Sequence, residues 1–241
     1  WSVDNTKYSV TGDFNGDGKD EIAVMYDYGN EDMAIIVFTP NGSTFQTTTW
    51  FRSGRGNWSV PNTKYFVSGD YNGDGKDEIA SMYDYGNEDM ALIVFIPNGN
   101  TFQTSTWFRS GKGNWGVPYT KYLNSGDFNN DGKTDLILGA NAADSYGFTN
   151  NGELYIIYDI NSHPDGVYNI SVITDAVIRG VNPNPGNPNP NSTANSSFFG
   201  REAWLADANN DGIDDIFAHA GFATYWPGNY REGVVYIFYG S

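Results

Sequence analysis

The chain has 241 residues, 39% of them hydrophobic, with 29 acidic against 13 basic side chains and a formal net charge of −16. Length and apolar content suit a folded chain with a sizeable core and exclude a disordered one. The acidity argues against nucleic acid or an anionic membrane as partner, the lack of cysteine removes disulfides and thiolate metal sites, and no apolar run is long enough to insert in a membrane.

The first eight residues, Trp1-Ser-Val-Asp-Asn-Thr-Lys-Tyr, return with small changes at Trp58 and again at Trp115, a period of 57 residues. No signal peptide is visible, and the opening at Trp1 leaves room for a leader or for upstream repeats. Copies of this length divide the chain into tandem units of about 1–57, 58–114 and 115–180. The first two agree almost throughout, and the third diverges after Asp135. Residues 181–197 hold a Pro/Asn-rich run, which cannot join a sheet ladder, and read as an exposed linker or a long loop. A fourth copy occupies 198–241.

Within the second copy, β-branched and aromatic runs predict strands at Lys64–Gly69, Glu78–Tyr83, Met90–Ile96 and Thr101–Phe108. Asn72-Gly-Asp-Gly, Asp84-Tyr-Gly-Asn-Glu and Pro97-Asn-Gly-Asn separate them with strong turn chemistry. The fourth copy predicts strands at Glu202–Ala206, Asp215–Ala220 and Val234–Tyr239 and lacks a last one. The expected fold is all-β, built of four-stranded antiparallel blades of the β-propeller type. About four blades are present, as a small ring, a fragment of a larger one, or an array.

Four loops share one acidic pattern and carry 15 of the 29 acids. Loop positions 1, 3, 5, 7 and 9 are Asp13, Asn15, Asp17, Lys19 and Glu21; then Asp70, Asn72, Asp74, Lys76 and Glu78; then Asp127, Asn129, Asp131, Lys133 and Asp135; then Asp207, Asn209, Asp211, Ile213 and Asp215. A hard cation takes about six to eight oxygens. Alternate side chains at 1, 3 and 5, the carbonyl of 7 and the carboxylate of 9 supply them, with glycine at 6 for the turn. Four structural Ca²⁺ ions, about one per loop, are the expectation. The flanking strands exclude a helix-loop-helix, and the plain alternative is four hairpin turns.

These loops, with Phe198-Phe-Gly-Arg-Glu-Ala-Trp-Leu-Ala-Asp-Ala-Asn-Asn-Asp-Gly-Ile-Asp-Asp, resemble the FG-GAP repeats (also called VCBS repeats) of integrin alpha subunits and of many secreted bacterial proteins. Ala218-His-Ala-Gly departs from the family's Gly-Ala-Pro, and Gly139-Ala-Asn is nearer to it. Trp-Phe-Arg-Ser-Gly-x-Gly-Asn-Trp in the first two copies resembles a bacterial subtype. The resemblance implies calcium-binding propeller blades, an extracellular or cell-surface location and a ring of about seven blades.

Three kinds of function compete. A binding or adhesion module would take an extracellular glycan or protein, and the recurrent Trp50, Trp58, Trp107 and Trp115 offer either sugar platforms or blade packing. The charged tips Gly29–Met33 and Gly86–Met90 either contact a partner or a second cation, or are simply solvated. A structural subunit would self-associate into a filament, sheath or surface layer, and sequons at Asn41, Asn57, Asn169, Asn191 and Asn195 suit such an extracellular surface. Catalysis has the least support, because His163 and His219 are the only histidines and no nucleophile elbow is present. The expectation is a protein that is not an enzyme, with an accessory domain of a polysaccharide-active enzyme as the remaining alternative.

Overall fold

In the first repeat the chain folds as β1 (Thr6–Gly12), β2 (Glu21–Gly29), β3 (Asp32–Asn41) and β4 (Thr44–Arg52), an antiparallel sheet in sequence order. The computed structural model of this chain describes residues 2–113, 115, 120–143, 150–163, 166–167, 169–180, 199–221 and 234–240. The second repeat builds the same sheet from β5 (Thr63–Gly69), β6 (Glu78–Asp84), β7 (Met90–Pro97) and β8 (Phe102–Arg109). The third contributes β9 (Tyr122–Gly126), β10 (Asp135–Ala140), β11 (Glu153–Ile157) and β12 (Ala176–Arg179). Among the described residues the fourth sheet has three strands: β13 (Phe199–Ala206), β14 (Asp215–Ala220) and β15 (Val234–Phe238). The protein is all-β with propeller-type antiparallel blades, as the sequence leads one to expect. Helical pieces among the described residues are short: one α-helical turn, Ile170–Ile173, which Asn169 caps by accepting a hydrogen bond from the Ser171 amide, and 3-10 turns at Val3–Asn5, Val60–Asn62 and Ile160–Ser162.

The short turns explain the meander. Asn30 and Glu31 both take positive φ (55° and 56°), so the β2–β3 hairpin closes on a two-residue turn whose twist matches the strands. Asn87 and Glu88 share that conformation, but β6 ends at Asp84 and β7 begins at Met90, which leaves a longer tip. In the first blade the charged tip is therefore shorter than the loop expected from sequence, with Asp32 already in β3, whereas the second keeps the expected turn between Asp84 and Met90.

The chain divides into two compact units, Trp1–Asn114 with Asn161–Tyr168, and Trp115–Ile160 with Asn169–Ser241. In the first unit, Ala23, Met25, Ile35 and Val37 project from one face of the first blade. They share one core with Ile79, Tyr83, Ile93 and Phe95 of the second. The ring of Trp50 lies 5.2 Å from that of Phe102, crossing from one blade to the next. The second unit packs Ile137, Leu154 and Ile156 against Phe199, Ile216, Ala218 and Ala220 in the same manner. The Pro/Asn stretch 181–197 lies outside the described residues.

Candidate metal centre

Each acid-rich loop joins the first two strands of its blade, and its backbone is shaped by left-handed residues. Position 6 is a glycine at φ 82° to 89° in all four loops (Gly18, Gly75, Gly132 and Gly212). Position 4 is left-handed as well, at Gly16, Gly73, Asn130 and Asn210. Glycine and asparagine are the residues that adopt this conformation most readily, a constraint that the ligand pattern alone does not reveal although the Gly/Asn alternation carries it.

Side-chain oxygens then gather the inward-turned amides. The carboxylate of Asp13 accepts from the N–H groups of Gly16, Asp17 and Gly18 at 2.7–3.0 Å. Asp70 repeats this with Gly73, Asp74 and Gly75, and Asp127 and Asp207 accept from positions 5 and 6. Position 5 accepts in turn from the amide of position 7, as Asp17 does from Lys19 at 3.0 Å. The equivalent pairs are Asp74 with Lys76, Asp131 with Lys133 and Asp211 with Ile213.

Position 9 fastens the loop. Glu21, Glu78, Asp135 and Asp215 have no solvent exposure, and each accepts the amide of position 2: Phe14, Tyr71, Phe128 and Ala208 at 2.8–3.1 Å. Glutamate and aspartate use their second oxygen differently. The longer Glu21 and Glu78 reach the side-chain amides of Asn15 and Asn72 inside the loop. The shorter Asp135 and Asp215 instead accept from Asp159 N–H (3.4 Å) and Gly240 N–H (3.0 Å), which frees Asn129 and Asn209 to bond Asp131 and Asp211.

Burial comes first in raising the Glu78 carboxyl, followed by the charge of Asp74, which together push it up to about 8. Asp135 rises to about 7, mainly by burial, and Glu21 is raised by burial and then by Asp17. Lys133 does not relieve this crowding from within, since it pairs with Asp159 at 2.8 Å. Among the described residues, no three His, Cys, Asp or Glu side chains converge as a metal-binding group. The donors that do line each loop are carboxylate, asparagine and backbone oxygens, the hard set that suits calcium. A carboxylate oxygen that takes one N–H keeps a lone pair for an ion.

The tryptophans fall elsewhere. Trp50, Trp58, Trp107 and Trp115 are only 4–9% exposed. Trp58 donates Nε1–H to Thr63 Oγ1 at 2.9 Å, and Trp115 does the same to Thr120 at 2.7 Å. These rings pack within and between the blades, and Trp58 also lines the cleft between the first two.

Aromatic and hydroxyl groups do meet in a cleft of about 340 Å³ between the first two blades, lined by Phe51, Asn57, Tyr83, Tyr85, Thr104 and Thr106 among others. The histidines fall in different units. Asn41, Asn57 and Asn169 are exposed; Asn191 and Asn195 lie outside the described residues.

The hairpin tips hold residues that their charge alone would leave solvated. Asp32 and Asp89 are 5% and 2% exposed, and each takes a two-pronged ion pair from Arg52 or Arg109. Each guanidinium also lies over a tyrosine ring, Tyr28 at 4.1 Å or Tyr85 at 4.0 Å.

Among the described residues no helix is long and apolar enough to cross a membrane. Residues 13–81 and 70–138 match the FG-GAP-like repeat family, and residues 123–157 match the FG-GAP repeat family. The chain is also similar to phosphatidylinositol-glycan-specific phospholipase D of Mus musculus, 30% identical over 135 residues. That match takes in 52% of this chain and 14% of the relative's length.

Proposed function

Since the chain belongs to the FG-GAP-like repeat family, we propose that it is an extracellular, calcium-stabilised module of propeller blades that binds a glycan or protein ligand and does no catalysis. The repeated loop supports this most directly. Four times, a fully buried position 9 carboxylate is set beside two further acids in a loop of oxygen donors, an arrangement that a divalent cation neutralises. Calcium bound to the folded state alone stabilises it by mass action.

The proposed ligand surface is the cleft between the first two blades, which Thr104, Ser105 and Thr106 line together with Tyr85, a residue 43% exposed. Hydroxyl donors beside an accessible aromatic face suit a sugar ring. Glycan-array binding that is lost in Tyr85→Ala, with the fold intact, supports the reading. Binding that survives Tyr85→Ala, or is absent from every glycan, removes the cleft as a sugar site. Hydrolysis of a phosphatidylinositol-glycan by the pure chain would overturn the non-catalytic reading.

A second reading, a self-associating structural subunit, draws on the fourth sheet. Trp204, Phe217 and Ile237 stand in register across its three strands, and Trp204, Val235 and Ile237 are each about half exposed. The corresponding face of the first blade is the one covered by the second blade. Light scattering separates the two: a second copy seated there gives concentration-dependent assembly that Trp204→Glu abolishes, and a monomer at all concentrations rejects it.

A further inference from the structure

Position 8 of the loops has no role in the ligand pattern, yet in the structure it joins one loop to the next. Asp77 stands there in the second loop. Its backbone N–H donates to the carbonyl of Asp13 at 3.0 Å, and its Oδ2 accepts from the Asp13 N–H at 2.9 Å. Both backbone polar groups of the residue that opens the first loop are thus held by the second. The approach requires the glycine before Asp13: a Cβ at Gly12 would sit 2.5 Å from Asp77 Oδ2.

The second unit repeats the device. Asp214, position 8 of the fourth loop, accepts a hydrogen bond from the Asp127 backbone, and a Cβ at Gly126 would lie 2.7 Å from Asp214 Oδ2. The remaining loops vary at the same places. Thr134 replaces the aspartate in the third loop, and Ala206 replaces the glycine before the fourth. Asp20, the first loop's own position 8, is exposed.

We propose that Asp77, and Asp214 in the same way, is a positioning residue that couples cation binding in neighbouring loops, a proposal that rests on the calcium reading above. Asp77 is the neighbour in sequence of Glu78, which fastens the second loop, while Asp13 carries the carboxylate that gathers three amides of the first. Ordering the second loop around an ion therefore fixes Asp77, and through it the peptide from which the first loop's leading ligand projects. Coupling of this kind is reciprocal: an ion in either loop raises affinity in the other.

Calcium titrations of the full chain, followed by NMR at the backbone amides of Gly18 and Gly75, read the two loops separately. Asp74→Ala, which removes a ligand from the second loop only, is expected to raise the calcium midpoint at Gly18 by about fivefold or more, the low end of typical coupling. In an Asp77→Thr background that midpoint is already raised and Asp74→Ala adds nothing, whereas Asp20→Thr has no effect. Gly12→Ala, which opens the same contact from the other side, should reproduce Asp77→Thr, and keeps the test valid if the latter folds poorly. A Gly18 midpoint indifferent to Asp74→Ala, or equally sensitive to it with and without Asp77, overturns the coupling while leaving calcium binding in place. No calcium-dependent shift at either glycine in the unmodified chain overturns both.

Discussion

Arg109 closes a two-pronged ion pair on Asp89, Nε to Oδ1 at 3.1 Å and Nη2 to Oδ2 at 2.9 Å. The pair is asymmetric in solvent, with the aspartate side chain 3% exposed and the arginine side chain 37%. Asp89 also accepts from the Gly111 amide at 3.1 Å, so it ties the hairpin tip to the segment leaving β8. Losing the partner of a buried charge costs about 3–5 kcal/mol, and less where that partner is partly exposed. Arg109→Ala is therefore expected to lower stability by about 2 kcal/mol in denaturant titration. Arg109→Lys should recover less than half of that, because an ammonium cannot reproduce the fork.

The equivalent pair in the first blade predicts a pH dependence. The hydrogen bond from Arg52, followed by its charge, holds the Asp32 carboxyl below its ordinary value of 3.8. A depressed carboxyl contributes stability that is present above the unfolded value and lost as pH falls through the folded one. Thermal midpoints of the unmodified chain and of Asp32→Asn should thus differ above about pH 4 and converge on further acidification. A gap that persists at the lowest pH would assign the difference to shape and not to charge.

Trp58 gives a third expectation. It is buried, sits edge-on to Tyr83 at 5.0 Å and donates to Thr63. Trp58→Ala should cost about 3–5 kcal/mol by cavity formation. Thr63→Val, which keeps the volume and removes only the acceptor, should cost about 1 kcal/mol. Urea unfolding of both variants checks the ratio.

Much of this architecture is legible in the order of the amino acids alone. The 57-residue period, the strand runs and the four acidic loops lie open in the sequence, and Asp215–Ala220 is a strand from end to end as expected. What stays hidden is pairing over distance. Asp32 and Arg52 are 20 residues apart and meet because β3 and β4 pair with Ala34 opposite Arg52. Asp77 reaches Asp13 across 64 residues, and its only trace in sequence is a glycine at position 12. The setting of the tryptophans is hidden for a related reason: an aromatic repeat looks the same whether its ring faces solvent or, like Trp50, packs on Phe102 of the next blade.

The loop glycines provide a fourth expectation. Gly75 has φ 84° and open space where a Cβ would stand, so Gly75→Ala isolates backbone strain from steric clash. The left-handed conformation costs a non-glycine residue about 1–2 kcal/mol. The variant should melt lower by that amount and bind calcium more weakly, because its amide helps to set the carboxylate of Asp70.

Calcium, on the function proposed above, is held by the loops as part of the fold. Calorimetric titration of the chelator-stripped chain, paired with thermal unfolding in calcium and in chelator, tests it most directly. At about a hundredfold excess over the dissociation constant, each occupied site adds about 2.7 kcal/mol, so about four ions are expected to bind and the midpoint to fall steeply on chelation. Absence of binding heat, with the same melting curve in calcium and in chelator, would contradict it and leave the loops as turns closed by their own hydrogen bonds.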